Sequence, residues 1–125
     1  MLRTISLADK LGQFSDHWSP KIIGELNGQH VKLAKFAGEF VWHKHDAEDE
    51  LFLVVSGEMR MGYRDAAGQE SELVLAEGEM VIVPRGVEHR PSAESECAVL
   101  LFEPAGTLNT GDAESGLRVE APERI

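Results

Sequence analysis

Two stretches of this 125-residue chain carry residues able to hold a metal ion. The first contains Gly38, His43, His45, Glu50 and Gly57, with one residue between the histidines and four between His45 and Glu50. The second contains Gly78, Pro84, Gly86 and His89. In an extended strand residues i and i+2 share a face roughly 7 Å apart, so His43 and His45 can converge on one ion. On a helix they would diverge by about 200°. Three imidazoles and a carboxylate suit a divalent transition metal such as iron, manganese, nickel, zinc, cobalt or copper. Calcium and magnesium favour all-oxygen shells. The expected metal ligands are His43, His45, Glu50 and His89. Glu48 competes with Glu50, which is preferred because it opens the apolar run LFLVV and is separated from Gly57 by six residues.

The surrounding sequence predicts mainly short strands. Ser6, with Asp9 three positions on and Leu7, Leu11 and Phe14 on one face, marks a short helix over 6–14. After the Asp16–Pro20 turn, strands are expected near 21–26, 29–36, 39–45, 50–55, 58–64, 71–75, 79–83, 87–91 and 97–103. Asn27-Gly28 signals a hairpin. This succession argues for an all-β sandwich or barrel. Alternation then sends Glu39 and Val41 inward with His43 and His45, and Phe52 and Val54 inward with Glu50, so residues 46–49 must turn or bulge. Pro84-Arg85-Gly86 turns the chain and returns His89 to the same interior. An apolar pocket is expected from Phe36, Phe52, Met59, Met61, Tyr63, Met80, Ile82, Leu100 and Phe102. Its candidate catalytic residues are Tyr63, a phenol that can donate to an oxygen, and Arg85, a guanidinium that can grip a carboxylate or phosphate. Trp42 has outward parity.

These two motifs resemble those of the cupin superfamily, in which glycine, HxH, a spaced glutamate and glycine are followed by a PxGxxH segment. The glycine-to-histidine gap is one residue short here, and Ala93 stands where the family's second motif often carries asparagine. The resemblance spans roughly residues 30–103. It implies a double-stranded β-helix, or jelly-roll barrel, preceded here by the short N-terminal helix. One domain over 1–125 is expected, with 104–125 as a polar C-terminal extension forming a surface wrap, a late edge strand or a partly disordered tail. Cupin-like proteins include dioxygenases, sugar-phosphate isomerases, decarboxylases and non-catalytic binders, so the resemblance identifies a site more than a reaction.

The net charge of −10 is concentrated after residue 64, where 13 acidic groups face 4 basic ones. Such a chain repels phosphate backbones, which disfavours nucleic acid and anionic membranes as partners. The opening MLRTISLADK lacks the apolar stretch of a signal peptide, and a cytoplasmic location is expected. Cys97 is the only cysteine and reads as a small strand residue. His17 and His30 lack ligand context. The chain has no GxSxG elbow, P-loop, GxGxxG turn or CxxC pair, so any chemistry rests on the metal. The expected function is a metal-dependent enzyme acting on a small oxygen-bearing molecule, with a non-catalytic small-molecule or metal-binding module as the alternative. Outward apolar positions Trp42, Leu51, Leu53 and Val55 predict a homodimer.

Overall fold

The computed structural model describes residues 2–125 and holds one short helix and seven strands. Helix α1 (Leu7–Leu11) begins where the Ser6 side chain accepts a hydrogen bond from the Asp9 amide at 3.1 Å, satisfying one of the free N–H groups of the first turn. The strands are β1 (Lys21–Leu26), β2 (Gln29–Glu39), β3 (Glu50–Ser56), β4 (Met59–Arg64), β5 (Glu70–Leu75), β6 (Met80–Val83) and β7 (His89–Pro104). The β1–β2 hairpin turns at Asn27 and Gly28, both at positive φ as expected.

The long strand β7 organises the barrel. Along one edge it pairs antiparallel with β2; along the other its first part pairs with β4 and its second part with β3. Changing partner folds the sheet into two packed layers. The hydrogen-bonded order runs β1-β2-β7-β3-β6, with β4 branching from β7 and β5 paired to β4. Strands β5 and β6 are not paired with each other, so the barrel has an open flank there. The double-layered β architecture with a short N-terminal helix is the one the motifs implied. Phe36, Phe40, Phe52, Val54, Met59, Met61, Val83, Val99 and Leu101 fill the space between the layers.

Several local expectations are corrected. The strands expected at 87–91 and 97–103 are one continuous strand. The strand expected over 39–45 is absent: β2 bulges between Phe36 and Gly38, Gly38 takes φ +76°, and regular pairing ends at Glu39. A single bridge, His43 to His89, carries the register onward. Alternation therefore fails at Glu39, which is exposed and paired with Arg90. Strand β6 has the opposite parity to that expected. Val83 lies opposite Glu50 and points inward, so Met80 and Ile82 point outward, each 54% exposed. Leu100 and Phe102 likewise lie on the outer face, because Leu101 and Glu103 take the inward positions.

The two ends of the chain close one mouth of the barrel. Trp18 lies within it, stacked on Phe36 and Phe40 at centroid distances of 4.3 and 4.7 Å, with its indole N–H donating to the Ala37 carbonyl at 2.9 Å. The extension beyond β7 is an ordered strap. Asn109 and Arg118 hydrogen-bond within it, and at its end the Ile125 amide donates to the Ile22 carbonyl. Among the described residues no helix is long and apolar enough to cross a membrane.

Candidate metal centre

His43, His45, Glu50 and His89 come together as expected, all buried, with one potential ligand atom from each lying within 4.8 Å of the others. Each is positioned by a different feature. His89 starts β7, and Glu50 starts β3. His43 is fixed by its backbone bridge to His89, with amide and carbonyl paired both ways at 3.1 and 2.8 Å. His45 is held where its carbonyl accepts the Gly86 amide at 2.7 Å, which ties the HxH segment to the Pro84–Gly86 turn.

The ring orientations follow from simple hydrogen bonds. Nδ1 of His43 donates to the Val41 carbonyl at 2.9 Å, and Nδ1 of His89 donates to the Val87 carbonyl at 2.8 Å. A carbonyl only accepts, so both rings carry hydrogen on Nδ1 and aim the Nε2 lone pair at the centre. Glu50 Oε1 stands 3.4 Å from Nε2 of both His45 and His89. These three atoms are buried and have no hydrogen-bond partner. Buried nitrogen and anionic oxygen atoms that lack partners and face one centre are what a divalent transition ion requires. The donor set fits such an ion, and the carbonyls of Val41 and Val87 orient its ligands.

Burial, reinforced by the nearby His89, pushes the His43 pKa down to about 4, so this ring is neutral at ordinary pH. At His45 burial works the same way, but the Glu50 carboxylate 3.4 Å from its Nε2 outweighs it and raises the pKa above its ordinary 6.5. Glu50 is itself held well below the carboxylate range: burial opposes its charge, and the Glu103, His45 and His89 side chains packed around it overcome that. In the metal-free protein, His45 thus carries a proton up to its raised pKa. It stabilises the fold below the ordinary 6.5, and this contribution is lost as pH rises through the raised value. An incoming ion must displace that proton. Zinc added well below the raised pKa should release about one proton per ion, and its affinity should climb by about tenfold per pH unit until the pH approaches that pKa. Titration in weakly buffered solution with a pH indicator measures the release; no release would contradict this assignment.

Tyr63 lies directly opposite His89 in the β4–β7 register and lines a cavity of about 220 Å³ on the open β5–β6 flank, together with Met61, Leu73, Val81, Val83, Pro84, Val87 and, as expected, Ile82. Phe36, Phe52, Met59 and Met61 are buried core, as expected. Arg85 faces solvent with its side chain 62% exposed, and its guanidinium engages Asp49 at 3.2 and 3.3 Å. It clasps the loop ending at Glu50. Glu48 is only half buried, and His17 pairs with Glu96 at the surface. Trp42 packs outside β4, beneath the Arg64 guanidinium at 3.9 Å.

Four site features escaped the sequence reading. Trp18 roofs the centre, leaving only about 20 Å³ beside His43, Glu50 and Phe52. Gly111 lies so close to the HxH segment that an added Cβ would collide with the Lys44 carbonyl and stand 3.0 Å from His43 Cδ2. Lys32 and Glu103 are fully buried on the inner face, with Nζ and Oε1 2.9 Å apart. The signal for the last two was present: Lys32 and Glu103 occupy inward positions of alternating strands, where a charge is out of place.

The sequence profile of the Cupin domain family matches residues 29–103, and the chain belongs to this family. It is 43% identical to a cupin-2 domain containing protein from Shewanella frigidimarina, whose crystal structure aligns with a TM-score of 0.75 over 80% of this chain and 93% of that one. An uncharacterized protein of Bacillus subtilis, YdbB, is 38% identical over 68 residues, which span 54% of this chain and 57% of that protein. A hydroquinone 1,2-dioxygenase, PnpCD, solved with Cd2+ and 4-hydroxybenzonitrile, shares the fold at 22% identity and a TM-score of 0.67, over 78% of this chain and 70% of that one.

Proposed function

We propose that this cupin is a metal-dependent enzyme acting on a small oxygen-bearing molecule, with a reaction of the dioxygenase, isomerase or decarboxylase type. One juxtaposition supports this reading. A buried three-histidine, one-glutamate centre adjoins an apolar cavity whose wall includes the register neighbours of two ligands, Tyr63 beside His89 and Val83 beside Glu50. A bound transition ion would supply Lewis acidity and, if redox-active, electron transfer. The chain's own residues do the rest. Val81, Val87 and Leu73 exclude water and bury the apolar part of the substrate, and the Tyr63 phenol donates a hydrogen bond to its oxygen. Arg85 contributes by restraining Asp49 at the start of the Glu50 strand. The dioxygenase option has a fold-level parallel in the hydroquinone 1,2-dioxygenase.

The narrow space under Trp18 favours a second reading, a closed binding module that holds an ion and a small ligand without turnover. The two are separated by stripping the metal, restoring iron, nickel, manganese or zinc one at a time, and screening small phenols and hydroxy acids by mass spectrometry. An enzyme should make product at rates that differ between ions and vanish without them. Saturable binding with no product under any ion would reject catalysis.

The reading extends to assembly and location. The outer face carries Val31, Leu51, Leu53, Leu100 and Phe102 in register across β2, β7 and β3, continued by Met80 and Ile82 on β6. A second copy would cover this face in a two-fold dimer. Light scattering should return the mass of two chains at micromolar concentration, and a monomer would contradict the pairing. A cytoplasmic location accords with the lone thiol of Cys97, which is buried and pushed up to about 11 by that burial, so that it stays protonated and inert.

A further inference from the structure

Between the layers, beside the metal ligands, lies an ion pair that core packing does not call for. Lys32 and Glu103 are each only 2% exposed and meet at 2.9 Å. Such a pair adds little to stability, because desolvation offsets the attraction and well-packed apolar residues often serve as well. Its location is more telling. Strand β3 pairs with β7 at Leu51–Phe102 and Phe52–Leu101, so the next step along the ladder sets Glu50 beside Glu103 on the inner face. On the far side β2 pairs with β7 at Lys32–Leu101, which brings Lys32 diagonally to Glu103. The register thus sets two buried carboxyl groups side by side. Glu103 Oε1 accepts from Lys32, and its buried Oε2 has no hydrogen-bond partner.

We propose that Lys32 and Glu103 are positioning residues for the metal: Lys32 fixes the rotation of the Glu103 carboxyl, and Glu103 fixes that of Glu50 so that Oε1 points at the three histidines. The inference rests on the reading of His43, His45, Glu50 and His89 as a metal centre. A carboxylate ligand rotates about its terminal bond unless its second oxygen is held, and supports of this kind sustain metal affinity without touching the ion. Within the chain Lys32, Glu103 and Glu50 form a continuous line from β2 to the centre. All three are held by regular strands and need no loop to place them.

The test is cobalt titration followed by visible absorption, whose ligand-field bands report the coordination geometry independently of any turnover. Glu103→Gln keeps one group to accept from Lys32 and one to donate to Glu50, and is expected to retain affinity within about threefold with unchanged bands. Lys32→Met/Glu103→Leu fills the same volume without the hydrogen bonds and is expected to bind about 10- to 100-fold more weakly with altered bands. If the leucine variant does not fold, Lys32→Met/Glu103→Met, with more adaptable side chains, takes its place. Unchanged affinity and bands in a folded double variant would overturn the proposal, as would a loss in Glu103→Gln equal to that in the double variant. Wild-type protein that takes up no cobalt would instead overturn the metal centre itself.

Discussion

Replacing His45 by alanine is expected to remove stoichiometric metal and leave the barrel folded. His45 lies outside the regular strands, on the segment between Phe40 and Asp49, and is not part of the apolar cluster between the layers. Its imidazole meets Glu50 and the two other histidines, with centroids 5.1 Å from His43 and 5.6 Å from His89. Losing it removes one donor of four and exposes the centre from the 46–49 loop. Loss of a supporting residue outside the coordination shell already costs about 10- to 100-fold in affinity, so loss of a ligand should exceed about 100-fold. His89 would be a less discriminating choice, because it is fully buried where β7 meets β4 and its removal would also open a cavity. Glu48→Gln is the matched control. Its side chain is only half buried and lies outside the cluster, so metal content should not change. Elemental analysis of the two variants, with circular dichroism to confirm folding, decides between Glu50 and its competitor.

Trp18→Ala is expected to produce the largest loss of stability in the chain, about 3–5 kcal/mol, because a buried tryptophan takes both transfer free energy and packing contacts with it. Trp18 stacks on two rings, donates to Ala37, and offers its own carbonyl to Asn109 of the C-terminal strap at 3.4 Å. It therefore joins the N-terminal turn, the β2 end and the strap over one mouth. Opening that mouth has a second consequence. His43 and Glu50 line the small space beneath the indole, so a chelator should extract the ion faster from the variant than from the wild type. Urea unfolding measures the first effect and chelator kinetics the second. An unchanged extraction rate in a folded variant would show that ligands exchange by another route, with the β5–β6 flank as the open alternative.

What was legible in the sequence follows from which forces act locally. The four ligands could be read because their spacing is set by strand alternation and by two short turns. Alternation also placed Phe52, Val54 and Glu50 correctly, since β3 is a regular strand paired on both sides. It failed where regular pairing ends. Past the Gly38 bulge the HxH segment is not a strand, yet its histidines still converge, because backbone bonds to His89 and Gly86 replace the missing ladder. On β6 the choice of face was invisible locally: MVIV is apolar throughout, and only its pairing with β3 sends Val83 inward. Trp18, Gly111 and Asp112 are far from the motifs in sequence and reach the site by tertiary wrapping. The Asp112 carboxylate and amide bind the Lys44 backbone at 2.8 and 3.1 Å, contacts that no periodicity announces. The polar composition of residues 104–125 pointed to a surface segment, and its role as a strap over the HxH segment emerges only from those contacts.

Coordination of one transition ion by His43, His45, Glu50 and His89 together can be read out spectroscopically. X-ray absorption on protein reconstituted with a single equivalent of cobalt tests it most directly, because the scattering pattern counts imidazole rings around the ion. The expected result is one ion per chain with three imidazole nitrogens at about 2.0–2.1 Å and at least one oxygen. A spectrum without histidine scattering, or with the sulfur of Cys97 in the shell, would contradict it.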